Sequence, residues 1–568
     1  MRASAFLRNV PILAGLSEEL LERLADDVAE VRVLAGDWIM REGEAADSAF
    51  IVRSGRVEVI DEGPPEALIR VLRRGDVLGE LALLREGTRS ASSRARRDTE
   101  LLELSRAGFE TLIQDAPSFA LGLTRAMGAQ LAASRTPVAA ATPPRTIAVV
   151  GLDAGAAVAE VTESLGDALT VHGSVARLGM GELAAIDQAE RDADRVLLRG
   201  GMAPDDEWTR MCVHEADLVV AVSSGEPDPA WLEQARALRG CELFVIGRSV
   251  TSEVISQLQP REVQVIADAT RQRVALEATA RRLAGRSLGV VLSGGGARAL
   301  AHLGVLEELS EAGMRFDRVA GVSLGSLVAA ATAMGLGPED VYETFERGFR
   351  ATNPTRDFTV PAFSLLRGAR TRRLLDDAFG ERQIEELPLR FFSLSCDLVE
   401  REAVIHRTGR VVDAVYPSLA IPGVFPPVAR SDGRLLVDGG VLDNLPVAAM
   451  ARTGEGPVIA VDVTGGIGRF QRARRPGLAR LARPARRALT GSEAEVPGLA
   501  ETILRTLTVG SVDTVAAARL HADLVITPAV DGIGLMEWRA IARARELGRE
   551  AARKALAADP DLPGRLGV

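Results

Sequence analysis

Cysteine, histidine and net positive charge are scarce in this chain of 568 residues. The three cysteines are widely spaced and odd in number, which argues against a disulfide framework or a zinc site and indicates a reducing compartment. The net charge of −10 argues against nucleic acid as the main partner, because phosphate binding needs a basic surface. We therefore expect a cytoplasmic protein with no nucleic-acid partner and no metal site, and an oligomer is compatible with this composition.

Long uncharged runs are also rare. One run, 319–338, is long enough to resemble a membrane span, but it contains four glycines and is otherwise rich in alanine and serine. A buried strand, turn and helix is the better interpretation, with a membrane span as the alternative. The first residues contain a short apolar run without a cleavage site, so they are interpreted as the start of a helix and not as a signal peptide.

Apolar residues make up 47% of the chain, which is enough to form several hydrophobic cores. Its first part alternates short β-branched runs with glycine turns, which predicts an antiparallel roll flanked by helices. Four continuous apolar runs separated by helical stretches then predict a Rossmann-like parallel α/β sheet that serves as a scaffold. The predicted multidomain α/β order is a roll at 8–133, a Pro/Ala linker at 134–145, the Rossmann-like domain at 146–280 and a C-terminal α/β domain at 287–568.

The C-terminal part holds a serine between two glycines, Gly321-Val322-Ser323-Leu324-Gly325, after a β-branched run. A serine on a tight turn between a buried strand and a helix has the arrangement of a nucleophile elbow. The predicted helix begins near Ser326 and points its positive end at the serine. Without further context, the same pattern is also typical of a glycine-rich packing turn.

Upstream, Ser293-Gly294-Gly295-Gly296-Ala297-Arg298 follows an apolar strand and opens a helix. Consecutive backbone N–H groups in such a loop can hold a developing oxyanion, and Arg298 can brace the loop or add positive charge. The competing interpretation is a dinucleotide fingerprint, which needs an acid at the end of the next strand. Asp317 lies at the start of that strand, so the oxyanion loop is favoured.

Downstream, Asp438 ends an apolar strand and precedes Gly439-Gly440. Burial there would raise the pKa of its carboxyl and make it a better general base, whereas a turn-capping Asp-Gly is the alternative. None of the five histidines stands in a matching pattern, and His302 is predicted to be structural. A Ser–Asp dyad therefore explains the serine better than a triad.

These motifs together resemble those of the patatin-like phospholipases, from about Leu288 to the end of the chain. The segment 417–428, "PSLAIPGVFPPV", resembles a further loop of that family, and Ala299 departs from it where many members have glycine. The resemblance implies hydrolysis of acyl esters in lipids without a metal or other catalytic cofactor. It assigns the nucleophile to Ser323, the base to Asp438 and the oxyanion hole to Gly294, Gly295, Gly296 and Arg298.

In the front domain, the stretch 75–92 places a glycine and a glutamate before a short apolar turn, with an arginine nine residues after the glutamate. Backbone amides and a guanidinium suit a cyclic phosphate, and the glutamate can accept a hydrogen bond from a ribose hydroxyl. The stretch resembles the phosphate-binding cassette of cyclic-nucleotide-binding domains, although Thr88 replaces a common proline. The resemblance assigns binding of cyclic AMP or cyclic GMP to Gly79, Glu80, Leu81, Ala82, Arg89 and Ser90.

The order of these domains is similar to the neuropathy target esterase type of lysophospholipase. It implies an enzyme that hydrolyses lysophospholipids or phospholipids under the control of a cyclic nucleotide. The alternative is a cyclic-nucleotide sensor whose hydrolase-like domain binds lipid without turnover. The arginine-rich segment Arg469–Leu489 is interpreted either as a peripheral contact with the inner face of the membrane or as a solvated insertion.

Overall fold

A computed structural model describes residues 6–8, 10–13, 16–61, 67–84, 87–116, 119, 143–247, 251–266, 268–352, 357–360, 364–464 and 512–566. They form two compact units: Met1–Gly285 with Arg452–Glu455, and Arg286–Ala451 with Gly456–Val568. Most of the predicted Pro/Ala linker 134–145 and all of the predicted membrane contact Arg469–Leu489 lie outside the described residues.

The first unit begins with a β-roll. Its strands are β1 (Ala29–Val33), β2 (Trp38–Met40), β3 (Ser48–Ser54), β4 (Val57–Asp61), β5 (Ala67–Leu72), β6 (Val77–Leu78), β7 (Ser92–Ala95) and β8 (Thr99–Ser105). They pair antiparallel in two four-stranded sheets, in the orders β1-β8-β3-β6 and β2-β7-β4-β5. Gly36, Gly43 and Gly55 have φ values of 88°, 83° and 87°, where a side chain would be strained. The predicted antiparallel roll is confirmed.

Helices cover one face of the roll. Their bounds are α1 (Glu18–Asp27), α2 (Glu80–Leu84) and α3 (Arg106–Asp115). Ser17 and Ser105 begin α1 and α3, because each hydroxyl accepts a hydrogen bond from an N–H of the first turn. The buried side chains of Leu24 and Phe109 lie in one core cluster with Leu102 of β8. Burial of these apolar stripes holds the helices against the sheet.

The same unit contains a parallel sheet. Its strands are β9 (Thr146–Gly151), β10 (Val175–Leu178), β11 (Arg195–Arg199), β12 (Leu218–Ser223), β13 (Glu242–Ile246) and β14 (Glu262–Ile266), in the order β10-β11-β9-β12-β13-β14. The four predicted runs form the inner strands. The edge strands β10 and β14 were not predicted, because each is only partly buried and lacks the continuous apolar run of an inner strand.

Helices lie on both faces of this sheet, and a separate apolar core fills each side. One core contains Leu165 and Leu276, and the other contains Val213, Trp231 and Leu258. The predicted α/β layering is therefore present. The helices are α4 (Val158–Thr170), α5 (Leu183–Asp192), α6 (Glu207–Glu215), α7 (Pro229–Glu233), α8 (Ala235–Leu238), α9 (Ser252–Leu258) and α10 (Ala269–Leu283).

The second unit is built on an eight-stranded mixed sheet. Its strands are β15 (Gly289–Leu292), β16 (Arg318–Val322), β17 (Arg390–Asp397), β18 (Glu402–His406), β19 (Val428–Ala429), β20 (Leu435–Asp438), β21 (Val458–Val461) and β22 (Leu524–Ile526). Hydrogen-bonded pairs follow the path β19-β20-β17-β16-β15-β21-β22, in which β20 and β16 pair with successive parts of β17, and β18 also pairs with β17. Strands β17, β16, β15, β21 and β22 are parallel, whereas β18 and β20 run antiparallel to β17.

Two of these strands share one edge of β17 and meet end to end. Strand β16 pairs with the first part of β17 and ends at Val322, opposite Leu394. Strand β20 arrives from the other direction and ends at Asp438, opposite Ser395. The opposite edge of this part of β17 is taken by β18. The residue after β16 and the last residue of β20 are thereby brought together.

Helices surround this sheet, and most of the long uncharged run 319–338 is buried, whereas Gly335, Leu336 and Gly337 at its end are exposed. It forms β16, a turn at Ser323 and α12, which begins at Leu324, two residues before the predicted start. No helix of the described residues is long and apolar enough to cross a membrane. The helices are α11 (Ala301–Glu311), α12 (Leu324–Ala333), α13 (Pro338–Thr352), α14 (Ala369–Phe379), α15 (Val411–Ser418), α16 (Val447–Ala451), α17 (Val512–Leu520), α18 (Ile541–Ala558) and α19 (Leu562–Arg565).

Candidate active site and nucleotide-binding cassette

Ser323 lies at the sharp turn between β16 and α12. Its φ of 53° and ψ of −132° fall in a region that side chains rarely adopt, so the surrounding structure must hold the turn. A Cβ on Gly321 would lie 2.4 Å from the carbonyl carbon of Gly325, and one on Gly325 would lie 2.5 Å from the carbonyl oxygen of Leu292. The two glycines are therefore needed because backbone segments pass directly against both positions.

Asp438 is the buried last residue of β20 and contacts Ser323. Its carboxylate accepts the Gly440 N–H at 2.8 Å and the hydroxyl of Ser323. Burial raises the pKa of the carboxyl to about 6, and the hydrogen bonds from Ser323 and Gly440 only partly offset this. An ionised Asp438 is therefore a stronger base than an exposed aspartate, and it carries its charge near neutral pH.

The glycine-rich loop after β15 lies against the serine. A Cβ on Gly294 would be 3.0 Å from the Cβ of Ser323, and one on Gly296 would be 2.3 Å from the Leu535 carbonyl oxygen. The Gly294 N–H already donates to the Asn444 carbonyl, at 3.4 Å. The loop thus approaches the serine closely only because Gly294 has no side chain.

Arg298 lies at the base of this loop. Its side chain is buried, and Nε donates to the Ile533 carbonyl at 2.8 Å. This contact ties the loop to the C-terminal part of the unit. The sequence allows Arg298 either to brace the loop or to add positive charge to it, and this contact corresponds to bracing.

Asn444 is a further residue of the site, which the sequence patterns do not predict although it lies only six residues after Asp438. Its side chain is 4% exposed, and Nδ2 donates to the Gly294 carbonyl at 3.3 Å. Its Oδ1 would be 2.8 Å from a Cβ on Gly440. Asn444 therefore connects the glycine-rich loop to the turn that follows Asp438. No local pattern marks this residue, because it follows the charged Asp443 and stands in no recognisable motif.

Ser418 belongs to the segment 417–428, whose sequence resembles a family loop but does not mark this serine individually. It ends α15, and its hydroxyl is completely buried. The hydroxyl accepts the backbone N–H of Ser323 at 2.9 Å and donates to the Leu394 carbonyl at 2.7 Å. Ser418 thus contacts the strained turn directly.

His302 and His406 do not form a triad with Ser323. His302 bonds through Nε2 to the Ser293 carbonyl at 2.8 Å, and His406 bonds through Nε2 to the Ser395 hydroxyl at 2.7 Å. Burial lowers the pKa of each to about 4, so both rings are neutral near pH 7. The part of the chain that the structure describes therefore places a carboxylate, and no imidazole, against the serine hydroxyl.

The predicted cassette in the roll surrounds a buried arginine. Arg89 Nη1 donates to the carbonyls of Ser48, at 2.8 Å, and Gly79, at 3.3 Å. A Cβ on Gly79 would lie 2.5 Å from the same nitrogen, so this position needs glycine. The carboxylate of Asp47 is 3.8 Å from Nη2.

The remaining cassette residues follow Gly79 on α2 or border Arg89. Glu80 and Ala82 are buried, with 3% of each exposed, whereas Ser90 is exposed. The side chain of Leu81 lies outside the described residues. The structure therefore brings Gly79, Glu80 and Arg89 to one end of β3 and β6.

Comparisons with known proteins give matches to both the region that contains Ser323 and the roll that contains the cassette. Residues 290–451 match the family model of the patatin-like phospholipases, and residues 30–116 match that of the cyclic nucleotide-binding domain. An uncharacterized NTE family protein of Mycobacterium bovis is 35% identical over 583 residues, which cover 99% of this chain and 97% of the relative. The chain belongs to the NTE family. In the chain, a cyclic nucleotide-binding domain precedes a patatin-like phospholipase domain. The protein is an enzyme of the patatin-like phospholipase class.

The fungal relatives are longer than this chain. A lysophospholipase NTE1 of Coccidioides immitis is 26% identical over 540 residues, which cover 76% of this chain but 34% of that protein. Among solved structures, the regulatory domain of Toxoplasma gondii PKA with cAMP is 28% identical over 22% of this chain and 49% of its own, with a TM-score of 0.21. These comparisons identify the family or the domain, and they assign no role to an individual residue.

Proposed function

We propose that this NTE family protein is a serine esterase that hydrolyses acyl esters of lysophospholipids or phospholipids through a dyad of Ser323 and Asp438. The observation that carries the proposal is the buried Asp438 carboxyl, which accepts the Ser323 hydroxyl and has its pKa raised to about 6. A base of that pKa is mostly ionised at neutral pH and still accepts a proton from a neighbouring hydroxyl in the transition state. The name of the fungal relative supports lysophospholipids as the substrate class.

In the first half of the reaction, Ser323 Oγ attacks the ester carbonyl carbon while its proton passes to Asp438. The carbonyl π electrons move to oxygen. The N–H groups of the loop Gly294–Gly296 would stabilise this oxyanion, with the Gly294 N–H released from its 3.4 Å bond to the Asn444 carbonyl, while Arg298 braces the loop. When the oxyanion collapses, the C–O bond of the alcohol breaks, and the alcohol leaves with the proton held by Asp438. The acyl group stays on Ser323 as an ester.

In the second half, water attacks the acyl-enzyme ester and Asp438 takes one of its protons. The second tetrahedral intermediate collapses, the bond to Ser323 Oγ breaks, and the proton returns from Asp438 to the serine. The fatty acid leaves and the dyad is restored. No metal or other cofactor enters either half of this scheme.

We further propose that a cyclic nucleotide binds at Gly79, Glu80, Leu81, Ala82, Arg89 and Ser90 and regulates the esterase. Arg89 supports this role, because burial lowers the pKa of its guanidinium more than the nearby carboxylates raise it, of which Asp47, at 3.8 Å from Nη2, has the largest effect. A buried cation that is incompletely neutralised gains from a phosphate partner. Regulation requires that the nucleotide bind two catalytic states with different affinity.

The test of the esterase is release of fatty acid from lysophosphatidylcholine by the full chain. We expect release by the wild type, none above background by Ser323→Ala, and a rate lowered roughly 100-fold or more in Asp438→Asn. Lipid that binds to folded wild-type protein without any release would instead favour the sensor without turnover.

The test of regulation repeats the assay with cyclic AMP or cyclic GMP. We expect the nucleotide to change the rate in the wild type and in Arg32→Ala, a control arginine that pairs with Glu100 on the surface of the same roll. Arg89→Ala should lose the response and the binding measured by calorimetry. An unchanged response in Arg89→Ala would refute the assigned cassette.

The remaining proposals concern organisation and location. We propose a roll domain of 8–133, a linker of 134–145, a parallel α/β domain of 146–280 and a phospholipase domain of 287–568. A cytoplasmic protein whose segment Arg469–Leu489 contacts the inner face of the membrane would meet its lipid substrate there. Binding of the full chain to anionic vesicles, compared with a chain whose arginines in that segment are replaced by glutamine, tests the contact.

A further inference from the structure

We propose that Ser418 is a positioning residue for the nucleophile, in that its hydroxyl holds the strained turn at Ser323 in the geometry needed for attack. The inference rests on the proposed esterase function of Ser323. Ser418 is not proposed to contact the substrate. It acts through the hydrogen bond that its hydroxyl accepts from the backbone N–H of Ser323.

The need for such a residue follows from the end of β16. The parallel ladder between β16 and β17 stops at Val322, opposite Leu394, and the chain then reverses direction at Ser323. The N–H of Ser323 no longer faces a strand partner, and a buried donor without a partner is costly. In addition, the φ of 53° at Ser323 is stable only where surrounding contacts enforce it.

The Ser418 hydroxyl supplies the missing partner on both sides. It accepts the Ser323 N–H at 2.9 Å and donates its own proton to the Leu394 carbonyl at 2.7 Å. The side chain thereby extends the connection between β16 and β17 by one position beyond the last paired residues. With both its donor and one acceptor site engaged and no solvent exposure, the hydroxyl has a defined orientation.

Ser418 is also linked to the base by a short stretch of chain. Two residues later, the Ala420 carbonyl accepts the backbone N–H of Asp438 at 2.9 Å. The end of α15 therefore contacts the backbone of both members of the proposed dyad. A displacement of the turn by a fraction of an ångström would lengthen the bond between the Ser323 hydroxyl and the Asp438 carboxylate, and attack geometry is sensitive on that scale.

The experiment compares Ser418→Ala and Ser418→Thr with a matched control, Ser393→Ala. Ser393 is also completely buried and donates its hydroxyl to α15, at the Ala414 carbonyl, but it has no bond to Ser323. Three quantities are measured for each full-length variant: kcat and KM for lysophosphatidylcholine, the rate at which a fluorophosphonate probe labels Ser323, and the urea midpoint of unfolding.

For Ser418→Ala we expect kcat and the labelling rate to fall roughly 10- to 100-fold with KM little changed. Ser418→Thr keeps the hydroxyl and should restore both rates to within about threefold, even if the added methyl group lowers its unfolding midpoint. Ser393→Ala should keep both rates, whatever its stability. This pattern separates positioning from a general loss of packing, because rate and stability change in different variants.

A Ser418→Ala enzyme with wild-type kcat and labelling rate would overturn the inference, as would an equal loss of rate in Ser393→Ala or a failure of Ser418→Thr to restore it. Failure of the proposed function has a different signature, in which the wild type neither releases fatty acid nor reacts with the probe at Ser323. If the wild type reacts with the probe but does not use lysophosphatidylcholine, the labelling rates alone decide the role of Ser418.

Discussion

Two aspartates of this chain, Asp153 and Asp438, occupy similar positions at the ends of buried strands, but the pKa values of their carboxyls are shifted in opposite directions. Each lies at or just after the end of a buried strand, and each contacts a serine at the end of another strand: Asp153 contacts Ser223 of β12, and Asp438 contacts Ser323 after β16. Hydrogen bonds leave the pKa of Asp153 lowered, whereas burial raises the pKa of Asp438 to about 6.

The number of donors explains the difference. Partial burial by itself would raise the pKa of Asp153, but the hydroxyls of Ser223 and Ser224 and the N–H groups of Ser224, Gly155 and Gly225 surround the carboxylate. Asp438 is more deeply buried and is bonded by one N–H and one hydroxyl. A carboxylate with many donors is a stable anion that ties loops together, whereas a buried one with few donors is a base.

The largest expected effect is on the serines. Ser323→Ala should lower kcat/KM for lysophosphatidylcholine by at least about 10³-fold, because no other hydroxyl takes over the attack. Ser223→Ala should leave kcat/KM within about twofold, since its hydroxyl only supports Asp153. Fatty-acid release by purified variants measures both, and a Ser323→Ala enzyme with a tenth of the wild-type rate would show that the nucleophile lies elsewhere.

The next effect is on the aspartates. Asp438→Asn keeps the shape of the side chain but removes the base, so kcat should fall by roughly 10²- to 10⁴-fold. Asp153→Asn should keep the wild-type kcat in the folded fraction. The measurement is kcat normalised to active-site titration, and equal losses in the two variants would mean that Asp438 acts structurally.

The pH dependence should follow Asp438. The base must be ionised to accept the serine proton, so kcat/KM should rise about tenfold per pH unit below its pKa of about 6 and level off above it. His302 and His406, with pKa values lowered to about 4 by burial, should contribute nothing to this rise. A pH–rate profile from pH 4.5 to 8 checks this, and a midpoint near pH 4 would contradict a raised pKa.

The smallest effect, on stability, should have opposite signs at the two sites. The folded-state pKa of Asp438 is raised, so its contribution to stability is present below pH 4 and is lost as the pH rises through about 6. The folded-state pKa of Asp153 is lowered, so its contribution is present above pH 4 and is lost as the pH falls below that value.

At pH 8, Asp438→Asn should therefore increase the free energy of unfolding by about 1 to 3 kcal/mol, and Asp153→Asn should decrease it by a similar amount. Urea unfolding at pH 5 and pH 8 measures both, with Asp432→Asn as an exposed control in the second unit. If both substitutions changed the free energy of unfolding in the same direction at pH 8, the proposed difference between Asp438 and Asp153 would be contradicted.

The local features of the fold could be predicted well. The glycine turns of the roll, the inner strands of the parallel sheet and the turn between β16 and α12 follow from residue patterns that span a few positions. The edge strands β10 and β14 could not be predicted in the same way, because partial exposure removes the continuous apolar run on which the prediction depends.

The candidate site was predictable only in part. Ser323, Asp438 and the loop from Gly294 stand in recognisable patterns, and the family match agrees with the class of enzyme. Asn444 and Ser418 have no local signature, since a buried asparagine or serine is common in any core. Only their bonds to Gly294 and to Ser323 distinguish them.

By itself, the sequence determined which residues carry reactive groups and which turns expose them, because backbone sterics and apolar periodicity act over short distances. The tertiary structure decided that β16 and β20 end against each other on one edge of β17, which brings a serine and an aspartate 115 positions apart into contact. It also decided the burial that raises the pKa of Asp438. Solvent exclusion and strand register depend on the whole packed unit, so no short segment determines them.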